Sequence, residues 1–221
     1  MAVVVEDLPK YFSSYSWRSP NHGLYGYPAD APPGFRWIRS LEERGAWMAA
    51  ERRVEVPPTE FFREIIAWGG GRNVRARFEA ELGQVNLLER FNVVLQNLDE
   101  PGRAIEAALE LPGLGLTYGT KVLRFLRPDI HGSLDEQIRK HLAQSGDLMP
   151  IHHSSWKRGY VAFQALCTSL VAALDQRGIE RPECGLARGT SRTGWRVADV
   201  EMALFAWALE ANKDNRTRRK S

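Results

Sequence analysis

The chain has 221 residues, 43% hydrophobic and 26% charged, enough apolar content for one large domain or two small lobes. No stretch approaches the roughly 20 apolar residues of a membrane span, and the start MAVVVEDLPK lacks the charged, then apolar, pattern of a signal peptide, so a cytoplasmic protein without membrane contact is expected. The two cysteines, Cys167 and Cys184, have neither CxxC nor Cys/His spacing, which argues against zinc, a disulfide framework or an iron–sulfur cluster, and no metal or cofactor is expected.

Residues 1–35, centred on SPNHGLYGYPADAPPG, have no steady period and read as an irregular arm. The arm's aromatic residues Tyr11, Phe12, Trp17, Tyr25 and Tyr27 require burial, so it should lie packed on the body. From there the pattern is helical: candidate helices cover 36–53, 58–68, 73–82, 84–97, 100–110, 116–127, 134–145, 154–177 and 195–211, with Asp99 as a cap and Pro101 as the first residue of the fifth. Nothing alternates as strands do, so the fold class is all-α, with the helical domain at 36–211. The segment RGIERPECGLARGTSRT, residues 178–194, reads as a polar loop. The net charge of +3 sits in the end of the chain: residues 212–221 hold five basic side chains and one acidic, which leaves −1 for the rest. This basic tail has the composition of a disordered arm with phosphate affinity, or of a solvated terminus with no role. On the folded part, basic clustering is local, at Arg72, Arg75 and Arg77 and at Lys157 and Arg158.

The most informative stretch is LPGLGLTYGTKVLRFLRPDIHGSLD, residues 111–135. Pro112, Gly113 and Gly115 form a tight turn between two helices, since glycine alone reaches positive φ without a Cβ clash. Unpaired amides of Gly113, Gly115 and the next helix's first turn would meet a DNA phosphate at the positive end of the dipole, or the turn is an ordinary αα-corner that binds nothing. Asp135, opening the helix that follows, reads as a cap when taken alone.

Hairpin, Gly/Pro-rich stretch and single aspartate together resemble the helix-hairpin-helix DNA glycosylase superfamily, without a gap over residues 111–135. FFREIIAWGGG, KVLRFLRP and WRVADVEMALFAW look like its bacterial branch with an 8-oxoguanine glycosylase fold. The resemblance implies a two-lobed, monomeric helical enzyme that flips a base out of double-stranded DNA and cleaves its N-glycosidic bond. Asp135 would be the catalytic carboxylate, stabilising the positive charge that builds on the deoxyribose. Gly113, Gly115, Leu116, Thr117 and Tyr118 would form the DNA clamp, and Trp68, Phe125 and Trp156 are candidates to line the base pocket. Bifunctional members carry a lysine that forms a Schiff base and cleaves the strand. Here the chain departs from the pattern: an ungapped count puts Thr117 at that position, and Lys121 follows one helical turn later. Either Lys121 is the nucleophile of an enzyme with AP-lyase activity, or it is structural and water is used. The base implied is an oxidised purine such as 8-oxoguanine, in repair, or a virus-type modified base, in phage defence. The alternative from another class is a non-catalytic helix-hairpin-helix module that senses distorted DNA. Trp195, Arg196 and Asp199 read as structural, with the charges paired. His131 is considered for a phosphate contact, and His152 and His153 for a base or phosphate contact at a helix start.

Overall fold

The computed structural model describes residues 3–27 and 29–218, with side chains as far as residue 212. Ten α-helices follow one another: α1 (Leu8–Ser14), α2 (Arg36–Glu51), α3 (Thr59–Trp68), α4 (Arg72–Leu82), α5 (Leu87–Gln96), α6 (Pro101–Leu109), α7 (Gly115–Leu126), α8 (Glu136–Ser145), α9 (Trp156–Arg177) and α10 (Val197–Arg218). The protein is all-α. Among the described residues the sole β-type pairing is an isolated bridge between Trp17 and Asp30. No described helix is long and apolar enough to cross a membrane.

Helix α7 forms the centre. Ten of its twelve residues are buried, including Leu116, Val122, Leu123, Phe125 and Leu126, so the helices around it enclose its polar side as well as its apolar one. Helices α2, α3 and α6 pack on it, α5 and α9 pack on α6, and α10 lies across α1, α8 and α9. Helix α2 crosses α7 at very close range because residue 45 is glycine, where a Cβ would collide with the Phe125 carbonyl.

Two expectations need correction. The arm contains a regular helix, α1, and two 3-10 turns, Val5–Asp7 and His22–Leu24. Seven residues are too few to display a period, and α1 is held instead by Leu8 and Phe12, each 1% exposed, with Phe12 edge-on to Trp195. Asp99 is not the cap of α6; Glu100 stands there with Pro101 in the first turn, while Asp99 pairs with Arg52 and Arg127. Helix α10 runs on to Arg218, into the basic tail; residues 219–221 lie outside the described part.

The arm does lie on the body as expected. Asp30, 1% exposed, accepts from the Trp37 and Ile38 amides at 3.0 and 3.1 Å, satisfying orphan donors at the start of α2. Its other oxygen accepts from Trp68 Nε1 at 2.8 Å. Trp17 Nε1 donates to the Trp68 carbonyl at 2.7 Å, so the arm also fixes the end of α3.

Six of the buried charges form one alternating chain. Arg181 meets Asp199 at 3.1 Å, Asp199 meets Arg196 at 2.7 Å, Arg196 meets Glu42 at 2.8 Å, Glu42 meets Arg124 at 2.9 Å, and Arg124 approaches Glu201 at 3.6 Å. Three arginines and three carboxylates thus neutralise one another inside the protein, which buried ions require. Trp195, Arg196 and Asp199 take structural positions at the start of α10.

Candidate functional site

Helix α6 ends at Leu109, the chain turns through Glu110–Leu114, and α7 begins at Gly115. Gly113 and Gly115 have φ of +65° and +60°, left-handed values that glycine adopts without strain. The Gly113 amide is not free: it donates to Glu81 Oε2 of α4 at 2.7 Å. Helix α4 packs directly beneath the turn, so its carboxylate reaches the donor that the sequence left open for a phosphate. Of the remaining clamp candidates, Leu116 and Tyr118 turn inward, at 3% and 7% exposure, and Thr117 is half-buried. Arg77, beside the turn on α4, is exposed, as are Arg72 and Arg75 further along that helix and Arg158 on α9. Lys157 is paired with Glu106.

One turn into α7, Thr120 and Lys121 hold the segment that leads to Asp135. The Thr120 hydroxyl donates to the Thr117 carbonyl and accepts from the Leu134 amide, both at 3.0 Å. Lys121 Nζ lies 3.4 Å from Ser133 Oγ. On the other side, the Gln164 side-chain amide clamps the backbone of Gly132 through two hydrogen bonds of 3.2 Å. The segment is thereby fixed between α7 and α9, and Asp135 opens α8 with Oδ1 accepting from the Gln137 amide at 2.7 Å. Asp135 is both a cap and a member of the site, since its charge acts on Lys121, Tyr118 and Glu201.

Lys121 is 7% exposed. Its ammonium lies 4.8 Å from the centre of the Trp68 ring and 5.9 Å from that of Tyr118. Burial pushes its pKa down, opposed in part by the negative charges of Asp135 and Glu201. The Tyr118 hydroxyl is pushed up to about 12, mainly by burial and also by Asp135. Tyr118, itself buried, rests on the glycine turn after α3: a Cβ on Gly69 would come within 2.7 Å of its ring.

Trp68 stands 5.0 Å from Phe125, edge to face, with Asp30 holding its indole nitrogen. Of the three pocket candidates only Trp68 faces Lys121. Phe125 is wholly buried behind it, and Trp156 lies at the hairpin, beside Gly115 and against the His153 ring at 4.1 Å. His131 is also corrected: it is fully buried between the Tyr160 hydroxyl, 3.0 Å away, and the Leu98 carbonyl, 2.8 Å away, and reaches no phosphate. His152 and His153 stand exposed before α9, where the side chains of His152 and Ser155 form a capping box.

Sequence reasoning missed Ser133 and Asp30, while Glu201, a charge among apolar residues that requires a partner, approaches Arg124 at 3.6 Å. Ser133 sits two residues from Asp135, a position that drew attention only to the aspartate. Among the described residues no group of three or more His, Cys, Asp or Glu side chains could hold a metal ion. No family model, no curated protein and no solved structure matches the chain.

Proposed function

We propose that this protein is a DNA glycosylase with AP-lyase activity that excises a modified or damaged base, with Lys121 as nucleophile and Asp135 as the carboxylate beside the sugar. The observation that carries the reading is the juxtaposition of a nearly buried amine, an aromatic face and a carboxylate: Lys121 lies against Trp68 and Ser133, within the field of Asp135. A desolvated lysine loses its proton more readily and becomes a nucleophile. Its position, rather than that of Thr117, supports the longer-hairpin register.

In this mechanism the target nucleotide is flipped out, because C1′ cannot be reached inside the duplex. The Nζ lone pair attacks C1′, the N-glycosidic bond breaks with its electron pair passing to the base, and the base takes up a proton while Nζ loses one. Asp135 stabilises the positive charge that develops on the sugar. The C1′–O4′ bond then breaks, O4′ taking up a proton, to give an iminium between Nζ and C1′, and loss of a C2′ proton expels the 3′ phosphate. The sugar face is common to every substrate base, so this machinery suits an oxidised purine such as 8-oxoguanine and a bulkier virus-type modified base alike.

Single-turnover assays on duplexes carrying a panel of modified bases, with borohydride present, test the proposal. Borohydride reduces the iminium to a stable amine, so wild type should give a covalent adduct that Lys121→Gln lacks, and Asp135→Asn should lose base release. Base release by Lys121→Gln at the wild-type rate would instead indicate water as nucleophile. One observation favours a second reading, a binding module without chemistry: Tyr118 and the Gly69–Gly71 turn leave Lys121 only 7% exposed. Duplex binding with no base release from any substrate would establish that reading.

A further inference from the structure

A cleft that shares no residue with the Lys121 recess opens between α2, the turn after α7 and the loop before α10. Small side chains make the room: Ala46, Ala49 and Ala50 of α2 line it together with Leu126 and Pro128, and larger residues at the three alanines would fill it. The cavity measures about 560 Å³. Small-molecule sites run from about 300 to 1,000 Å³. The wall opposite α2 is held in place, because the Pro128 carbonyl accepts from the Ala198 amide at 3.0 Å and the Ile130 amide donates to the Arg127 carbonyl at 3.1 Å.

Charge is distributed unevenly around this cleft. Glu42 and Arg196, 6% and 2% exposed and 2.8 Å apart, belong to the buried ion chain and form part of its lining. At the rim, Arg52 and Arg127 both hold Asp99, at 2.7 and 2.9 Å, and Arg188 holds Glu180 at 2.7 Å. Two lining groups are not spent in this way. The Asp129 carboxylate makes no hydrogen bond or ion pair among the described residues. The Arg39 guanidinium has only Glu43, one turn along α2, 3.9 Å away and 71% exposed. A carboxylate and a guanidinium thus line one cleft without meeting, with an apolar ledge beside them. Burial raises the Asp129 pKa, which fits a carboxylate turned toward the cleft rather than toward open water.

We propose that this cleft binds a guanine nucleotide, with the base edge on Asp129, the ring on the alanine ledge of α2 and the phosphate on Arg39. An ionised carboxylate only accepts hydrogen bonds, and its two oxygens match the parallel N1–H and N2–H donors of guanine. Adenine offers one amino donor beside a ring nitrogen whose lone pair the carboxylate repels. The guanidinium presents its N–H donors as a fork that fits phosphate. Inorganic phosphate would satisfy Arg39 and leave Asp129 unpaired. The inference is independent of the glycosylase reading, since neither Lys121 nor Asp135 takes part.

Isothermal titration calorimetry of the full chain with GMP, AMP, guanosine and inorganic phosphate tests the assignment. GMP should bind at one site, about tenfold more tightly than AMP or inorganic phosphate, the difference expected for charge-assisted hydrogen bonds at both ends. Asp129→Asn should abolish the preference for GMP over AMP. Arg39→Gln should keep that preference and reduce GMP to the affinity of guanosine. Asp129 has no partner and Arg39 only a distant, exposed one, so both variants should fold as wild type does, which circular dichroism checks. No binding of GMP at millimolar concentration, AMP or inorganic phosphate bound as tightly as GMP, or GMP affinity unaltered in either variant would each overturn the proposal.

Discussion

Replacing Gly113 and Gly115 by alanine, one at a time, separates two costs that the hairpin combines. Both glycines have left-handed φ, +65° and +60°, so each alanine meets the backbone penalty of about 1–2 kcal/mol for that region. Their surroundings differ. A Cβ on Gly113 would lie 2.5 Å from the Phe78 amide nitrogen and 2.7 Å from the Arg77 carbonyl carbon, and a helix backbone cannot swing aside as a side chain can. A Cβ on Gly115 would meet only Trp156 Cη2 at 3.7 Å, an ordinary contact. Overpacking of this kind costs about 1–3 kcal/mol, so Gly113→Ala should destabilise the fold by about 2–5 kcal/mol and Gly115→Ala by about 1–2 kcal/mol. For a chain of this size each kcal/mol lowers Tm by about 2–4 °C. Urea and thermal unfolding of both variants provide the measurement. Equal losses would refute the argument that the turn is seated directly on the α4 backbone.

Two further predictions concern charge. Glu81 holds the Gly113 amide, so Glu81→Gln, which removes the anion where a phosphate would dock, should tighten duplex binding about tenfold, or ~1.4 kcal/mol, at low salt. Unchanged affinity in a fluorescence anisotropy titration would mean that DNA does not meet the hairpin. His131 is held neutral by burial, which lowers its pKa from 6.5 to about 4, so the unfolded chain binds its proton more readily than the folded one. Its contribution to stability is complete above 6.5 and is lost as pH falls toward about 4, a difference of about 3 kcal/mol. Wild type should lose that much more stability than His131→Asn over this range in denaturant titrations. Parallel curves for the two proteins would contradict the assignment.

Local patterning specified the helices. Nine segments from residue 36 onward carried apolar residues at helical spacing, and prolines and glycines marked their limits, so boundaries fall within a few residues of those expected except at the end of α10, which runs seven residues past 211 to Arg218. The positive φ of the hairpin glycines was likewise legible, because a turn between two helices leaves few other conformations. The interval from Lys121 to Asp135 is also a property of the sequence, but it did not state that the carboxylate would act on the ammonium. That depended on Thr120, Lys121 and Gln164 binding the 132–134 segment from two helices, contacts spanning up to 32 residues.

What the tertiary structure decided is mostly electrostatic. Whether Gly113 offers a free amide depends on Glu81, 32 residues upstream, and the burial of His131 depends on Leu98 and Tyr160, 33 and 29 residues away. Lys121 in isolation is an ordinary helical lysine; Trp68, Tyr118 and Ser133 around it remove the water and so change its chemistry. Hydrophobic periodicity is written in neighbours along the chain and survives in the sequence. Desolvation and partner choice are set by groups that only folding brings together, and for that reason the helices could be read from the sequence while the state of the site could not.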